Sequence, residues 1–164
     1  MATYYSEIEV LSEARPTFHD VTGEVIKELE KSGIKNGLAL VYSKHTTCSV
    51  FIQEDSVDTT YKGDQFLLRD FLDIMEELIP TCNAEGRYMH PGPKHIEWAT
   101  GEGEEAWWCL NTDAHLRSML LGRSECIPVI DGRLEMGQFG KVFFVDFDQT
   151  RDRKRTVIIQ FVGE

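Results

Sequence analysis

Hydrophobic and polar positions alternate from Tyr4 to Leu11, with Tyr5, Glu7 and Glu9 set against Ile8 and Val10. This period of two predicts an opening strand, broken at Pro16. The period then becomes helical. Val21, Val25, Ile26 and Leu29 fall on one face and Lys27, Glu28, Glu30 and Lys31 on the other, with Asp20 or Thr22 as cap and Gly33 as the C-terminal stop. Gly37 to Tyr42 is a short apolar run that reads as a buried strand; His45-Thr46-Thr47 interrupts it and Cys48 to Ile52 resumes it. A second helix is expected from about Tyr61 to Ile79, closed by Pro80. Its stripe is Leu67, Phe71, Ile74, Met75 and Leu78, while Asp64, Asp70, Asp73, Glu76 and Glu77 face water.

From Thr81 to Thr112 no period is visible. A structureless stretch of that length inside a small domain is usually functional or partly ordered, and a strand over Glu105 to Leu110 is expected within it. Asp113 caps a short helix, Ala114 to Leu121, stopped by Gly122. Glu125 to Ile130, Asp131-Gly132 and Arg133 to Met136 read as strand, two-residue turn and strand. Lys141 to Phe147 and Arg155 to Val162 complete the set. Strands mixed with two longer helices and one short one predict an α+β fold. In Lys141 to Phe147, Val142, Phe143, Phe144 and Val145 make both faces apolar. Read as an edge strand, it needs cover on its second face, which a neighbouring subunit would supply.

Composition narrows the picture. The 164 residues form an expected single domain, 1–164, and 41% apolar with 27% charged residues is ordinary globular usage. No run approaches the roughly 20 apolar residues of a membrane span. The N-terminus shows no basic leader or apolar h-region, so the expected compartment is cytoplasmic. A net charge of −11, from 28 acids against 17 bases, repels phosphate backbones and anionic membranes, so neither nucleic acid nor membrane is an expected partner. The charge leaves room for a local basic pocket. Cys48, Cys82, Cys109 and Cys126 are far apart, with no CxxC, and read as free thiols, mostly buried.

Five histidines are present, His19, His45, His90, His95 and His115, with no HxH or HExxH spacing. Each taken singly reads as a structural residue. Three have a more suggestive setting: His45 ends a strand, His90 lies in the irregular region after Tyr88, and His115 opens a short helix. A strand end, a loop and a helix start can converge, and three neutral imidazoles leave an open position for water or substrate. Glu54, at the far end of the next strand, is a candidate fourth ligand, ligand anchor or general base. Gly101-x-Gly103-x-x-Ala106 fits a dinucleotide fingerprint only formally: no strand precedes it and its glutamates would repel a pyrophosphate. Trp98, Trp107 and Trp108 read as core or subunit-contact residues rather than base-stacking ones. Arg151, Arg153, Lys154 and Arg155 are either a solvated turn paired with Asp146, Asp148 and Asp152 or an anion subsite, since an arginine fork matches phosphate.

An ordered set of short motifs runs nearly end to end: His45-Thr46-Thr47, Gln53-Glu54, Tyr88-x-His90, Asp113-Ala114-His115-Leu116, Leu121-Gly122-x-Ser124, Ile127-Pro128-Val129-x-Asp131-Gly132-Arg133-Leu134, Phe147-Asp148, Arg151-x-Arg153 and Gly163-Glu164. In this the chain resembles the YjbQ-like family, also called the secondary thiamine-phosphate synthase family. The resemblance implies a two-sheet β-sandwich of α+β class assembled as a homotrimer. It also implies a histidine-lined, metal-binding site at His45, His90 and His115 with Glu54 near, and weak thiamine-phosphate synthase activity in some members. The family usually carries Trp-Gln after the hairpin, where this chain has Phe139-Gly140, and Gly-Pro before the arginines, where it has Gln149-Thr150. The stretch from Pro91 to Asn111 is longer than usual and holds all three tryptophans.

Three functional expectations follow. In the first, a divalent metal, zinc before others given imidazole donors, assists an enzyme acting on a small phosphorylated metabolite, with Glu54 as catalytic residue and Arg151 and Arg153 holding the phosphate. In the second, a non-catalytic trimer binds a phosphometabolite or partner in a histidine-lined pocket. In the third, the histidines are purely structural.

Overall fold

The computed structural model describes residues 1–164. Eight strands and four helices follow the order β1 (Ala2–Ser12), β2 (Thr17–Asp20), α1 (Thr22–Ser32), β3 (Gly37–Ser43), β4 (Cys48–Glu54), α2 (Phe66–Leu78), α3 (Pro93–Gly101), a 3-10 turn (Ala106–Cys109), α4 (Thr112–Leu121), β5 (Ser124–Ile130), β6 (Arg133–Leu134), β7 (Gly140–Asp146) and β8 (Arg153–Gly163). Two antiparallel sheets result, one ordered β1-β8-β3-β5-β6 and one ordered β2-β7-β4. The fold is mixed α+β, with one helix more than the sequence pattern predicts.

Alternation explains the sandwich. In β8, Arg155, Val157, Ile159 and Phe161 turn inward while the residues between them are more exposed. Val157, Ile159 and Phe161 meet Val50, Val142 and Phe144 of the smaller sheet and Val25 and Leu29 of α1 in one core. Gly33 ends α1 at φ 68°, a left-handed position that glycine takes without steric cost. Asp20 Oδ1 accepts the Thr22 amide at 2.9 Å at the other end. The Asp131-Gly132 turn has positive φ at both residues, 51° and 74°, as a tight hairpin requires.

Four expectations are corrected. β7 is the centre of its sheet, not an edge. Val142 and Phe144 face the sandwich core, while Val145 and Phe147 pack with Phe18, Phe51, Phe71 and Leu121 beneath α2 and α4. The chain's own helices therefore cover the second face, and the strand gives no argument for a neighbouring subunit. α2 starts at Phe66 rather than near Tyr61, because the turn at Thr60–Gly63, with Gly63 at φ 86°, and the Thr59–Gln65 bridge use up the preceding residues. Of its stripe only Met75 is buried, together with Leu68; Leu67, Ile74 and Leu78 remain exposed. The Glu105–Leu110 segment is a 3-10 turn, not a strand: the Trp108 amide donates to Glu105 C=O and the Leu110 amide to Trp107 C=O. No helix of the chain is long and apolar enough to cross a membrane.

Candidate functional site

A cleft of about 400 Å³ opens where the β3–β4 turn, the start of β8, the start of α4 and the α3–turn segment meet. Its foundation is Asp146 at the end of β7, fully buried. One carboxylate oxygen accepts Ser12 Oγ at 2.8 Å and Arg155 Nε at 2.6 Å; the other accepts Thr47 Oγ1 at 3.1 Å and the Asp148 amide at 3.0 Å. Burial alone would push this carboxyl up, but the Arg155 hydrogen bond and charge hold it below the usual aspartate value. Arg155 Nη2 also donates to Thr47 Oγ1 at 3.0 Å, which ties the β3–β4 turn to β8.

That turn carries His45. Its Nε2 accepts the Thr156 amide at 3.0 Å, so in the neutral ring the proton sits on Nδ1. Burial, then the nearby Arg155, lowers its pKa. His115, on the first turn of α4, lines the cleft beside Thr46, and burial keeps its pKa low as well.

The second acid, Asp148, is also fully buried. Its Oδ2 accepts Asn111 Nδ2 and faces Arg153 Nη2, both at 3.2 Å, and its Oδ1 accepts the Thr150 amide and hydroxyl at 3.0 and 2.6 Å. Gln149 Nε2 donates to Asp113 Oδ2 at 3.3 Å. Gln149-Thr150 thus anchors the loop before the arginines by side-chain bonds. The arginines are neither the solvated turn nor wholly free: Arg155 and Arg153 are paired, but with buried acids.

Arg151 lies flat on Trp108, its guanidinium carbon 3.7 Å from the ring centroid, and Nη2 donates to Glu104 at 2.9 Å. Four buried side-chain nitrogens in the molecule lack a hydrogen-bond partner. Three gather in this region, Arg151 Nη1, Arg153 Nε and Trp108 Nε1; the fourth is His19 Nε2 on β2. An unpartnered buried donor costs about 1–3 kcal/mol, more for a charged group, and an anionic acceptor would recover that energy.

His45, His115 and Arg153 line the cleft, and Arg151 touches its wall through Trp108 and Glu104. His90 stands at the rim beside His115, with ring centroids 5.9 Å apart. His95 joins them, its ring 4.5 Å from His90. Glu54 is not brought in. It is exposed at the opposite end of β4, opposite Gly140, ~20 Å along the strand from Cys48 at about 3.3 Å per residue. Phe139 and Gly140 lie at that same far end. As a metal centre, the named histidines do not fit as assembled: the Nε2 lone pair of His45 is taken by the Thr156 amide, and no three His, Cys, Asp or Glu side chains stand at ligand spacing.

Sequence reasoning missed His95, Asp146, Asp148 and Trp108 as site residues. His95 was hidden with α3, whose signal is Pro93 at the first helical turn after Gly92. Asp146 ends and Asp148 follows a strand that is buried from Val142 onward, and that burial turns surface-like acids into anchors.

The family model described as UPF0047 protein YjbQ-like matches residues 6–164. A UPF0047 protein of Methanothermobacter thermautotrophicus is 30% identical over 159 residues, 97% of this chain and 93% of that one. One of Archaeoglobus fulgidus is 32% identical over 148 residues, 90% and 94% of the two chains. Among solved structures, a YbjQ-like protein of unknown function from Sulfolobus solfataricus superposes with a TM-score of 0.76 at 26% identity, covering 99% of each chain. A hypothetical protein from Aeropyrum pernix does so with 0.74 at 30%, covering 98% and 99%.

Proposed function

The chain belongs to the YjbQ-like UPF0047 family, and from that premise and the chemistry of its cleft we propose that it binds a small phosphorylated metabolite between the paired arginines and His45 and His115. The carrying observation is the cluster of three buried N–H donors without acceptors, two of them on arginines. A phosphate presents several oxygens to such a cluster, and an arginine beside an aromatic face suits it better than a lysine would. Asp148 holds Arg153 and Asn111 in place, and Asp146 with Arg155 fixes the turn that carries His45.

In the enzymatic form of this reading, His115 moves a proton to or from the ligand, because its ring lines the cleft and burial favours its neutral form. Transfer to a phosphate ester, including weak thiamine-phosphate synthase activity, is the reaction class to assay. Calorimetry with inorganic phosphate and with phenyl phosphate, beside a turnover assay, tests both levels. Micromolar to millimolar binding with turnover that His115→Ala abolishes supports the enzyme. Binding without turnover leaves a phosphometabolite-binding protein. No phosphate binding by the wild type rejects the proposal.

A divalent ion is a separate proposal, at the neighbouring rings of His90, His95 and His115, which do not stand at ligand spacing and would have to close in around it. Zinc titration followed by metal analysis tests it: retention of one equivalent, lost in His90→Ala, supports the ion, and metal-free protein with unchanged melting rejects it. Assembly with further copies, as a trimer, is favoured by the exposed apolar residues Tyr5, Leu38, Leu40 and Ile130 on the outer face of the larger sheet. Light scattering that gives the mass of one chain at micromolar concentration rejects it.

A further inference from the structure

The segment from Pro93 to Cys109 is attached to the molecule in an unusual way. α3 buries one residue, Ala99, and leaves Trp98 exposed; the following turn buries Cys109 and leaves Trp107 exposed. α3 packs mainly on the turn that follows it. Gly103, at φ 88° with open space around it, joins the two. Yet this segment supplies one whole wall of the cleft, including His95, Trp98, Glu104 and Trp108. Its side-chain fastening to the β7–β8 loop runs through one residue, Arg151, which is paired with Glu104 and stacked on Trp108.

The unpartnered donors fall on both sides of that fastening. Arg151 Nη1 and Arg153 Nε belong to the sheet side, and Trp108 Nε1 belongs to the segment. We propose that residues Pro93–Cys109 form a strap that a phosphate-bearing ligand fastens over the cleft, with Glu104 holding the anion's place on Arg151 until the ligand arrives. The proposal rests on the anion-binding reading of the cleft and adds to it a moving part and a gate.

The chemistry has two consequences. A ligand oxygen that reaches Trp108 Nε1 and the two guanidinium groups together bridges strap and sheet, so binding holds down a segment that has little hold of its own. Glu104 brings negative charge to the place the ligand's charge must occupy. Its side chain is 42% exposed, so it can swing into water and keep its solvation. Glu104 therefore steadies the empty strap and opposes the ligand.

Hydrogen exchange on the full chain reads the strap directly. Inorganic phosphate, against chloride at matched ionic strength, is expected to slow exchange of amides in 93–109 by about fivefold or more while the sandwich core stays unchanged. Glu104→Gln is expected to speed exchange there in the absence of phosphate and to tighten phosphate binding about threefold or more, since a like charge is removed. Trp108→Phe keeps a ring over Arg151 but loses the N–H, and is expected to weaken phosphate about tenfold. Phosphate that binds the wild type without altering exchange in 93–109 overturns the strap and leaves the anion site standing. Weaker phosphate binding in Glu104→Gln overturns the gate. No phosphate binding by the wild type overturns the anion site and the strap with it.

Discussion

Two aspartate–arginine pairs stand two residues apart at one end of the sandwich and serve opposite ends. Asp146–Arg155 is closed: the pair is 2.6 Å apart, the arginine side chain is 5% exposed, and Thr47 and Ser12 occupy the remaining positions. Asp148–Arg153 is open: the contact is 3.2 Å, the arginine is 23% exposed and its Nε has no partner. A buried pair with every donor satisfied holds elements together. A pair with a donor left over retains capacity for a ligand. The same residue types thus make a joint in one place and the proposed receptor in the next, and completeness of hydrogen bonding distinguishes them.

Breaking the closed pair has the largest expected effect. Asp146→Asn leaves Arg155 buried without its counter-charge and is expected to lower stability by about 3–5 kcal/mol, read from the urea midpoint. A loss under about 1 kcal/mol would remove the distinction. The open pair is expected to behave the other way round. Arg153→Gln should cost about tenfold or more in phosphate affinity by calorimetry, while the urea midpoint falls less than in Asp146→Asn, because Asp148 keeps Asn111 and Thr150 as donors and Arg155 3.8 Å away. A variant that unfolds yet binds normally would reverse the assignment.

Acid sharpens the contrast further. Asp146 titrates below its ordinary value when folded. Its stabilising contribution is therefore complete above the unfolded aspartate value of about 3.9 and is lost as pH falls through the lower folded value. Melting curves across that range should show an acid-side loss that is smaller in Asp146→Asn, which lacks the group. The smallest effect is expected at the far end of β4. Glu54→Gln should leave phosphate affinity within about twofold, since that position and the cleft lie at opposite ends of the strand; a tenfold change would bring Glu54 back into the site.

What was legible in the sequence follows the range of the forces involved. α1 and the β5–β6 hairpin are written in local pattern, by a helical stripe with Gly33 after it and by Asp131-Gly132 between strands, and both form, although in α1 Ile26 is exposed and Glu28 is buried. β7 was misread because an apolar strand looks the same whether a partner or the chain's own α2 and α4 covers it, and that choice lies in residues 20 to 80 positions away. α3 was missed because its single buried residue leaves no stripe to read. Around the cleft, His45, His115 and Arg153 line the wall and Arg151 touches it, because their motifs sit beside the elements that present them. Glu54 was placed near them by its distance along the chain, which a strand converts into distance through space.

The joint at Asp146 also bears on how the protein comes into being. It unites Ser12 of the first strand with a residue 134 positions later, and Arg155, nine residues further on, with Thr47. A chain emerging from the ribosome holds the histidine turn early, but nothing braces that turn until the final strand has been released and drawn between β1 and β3. Under the proposed anion site, ligand recognition would be reserved for the finished polypeptide: a truncated or half-made copy has the imidazoles without the guanidinium groups.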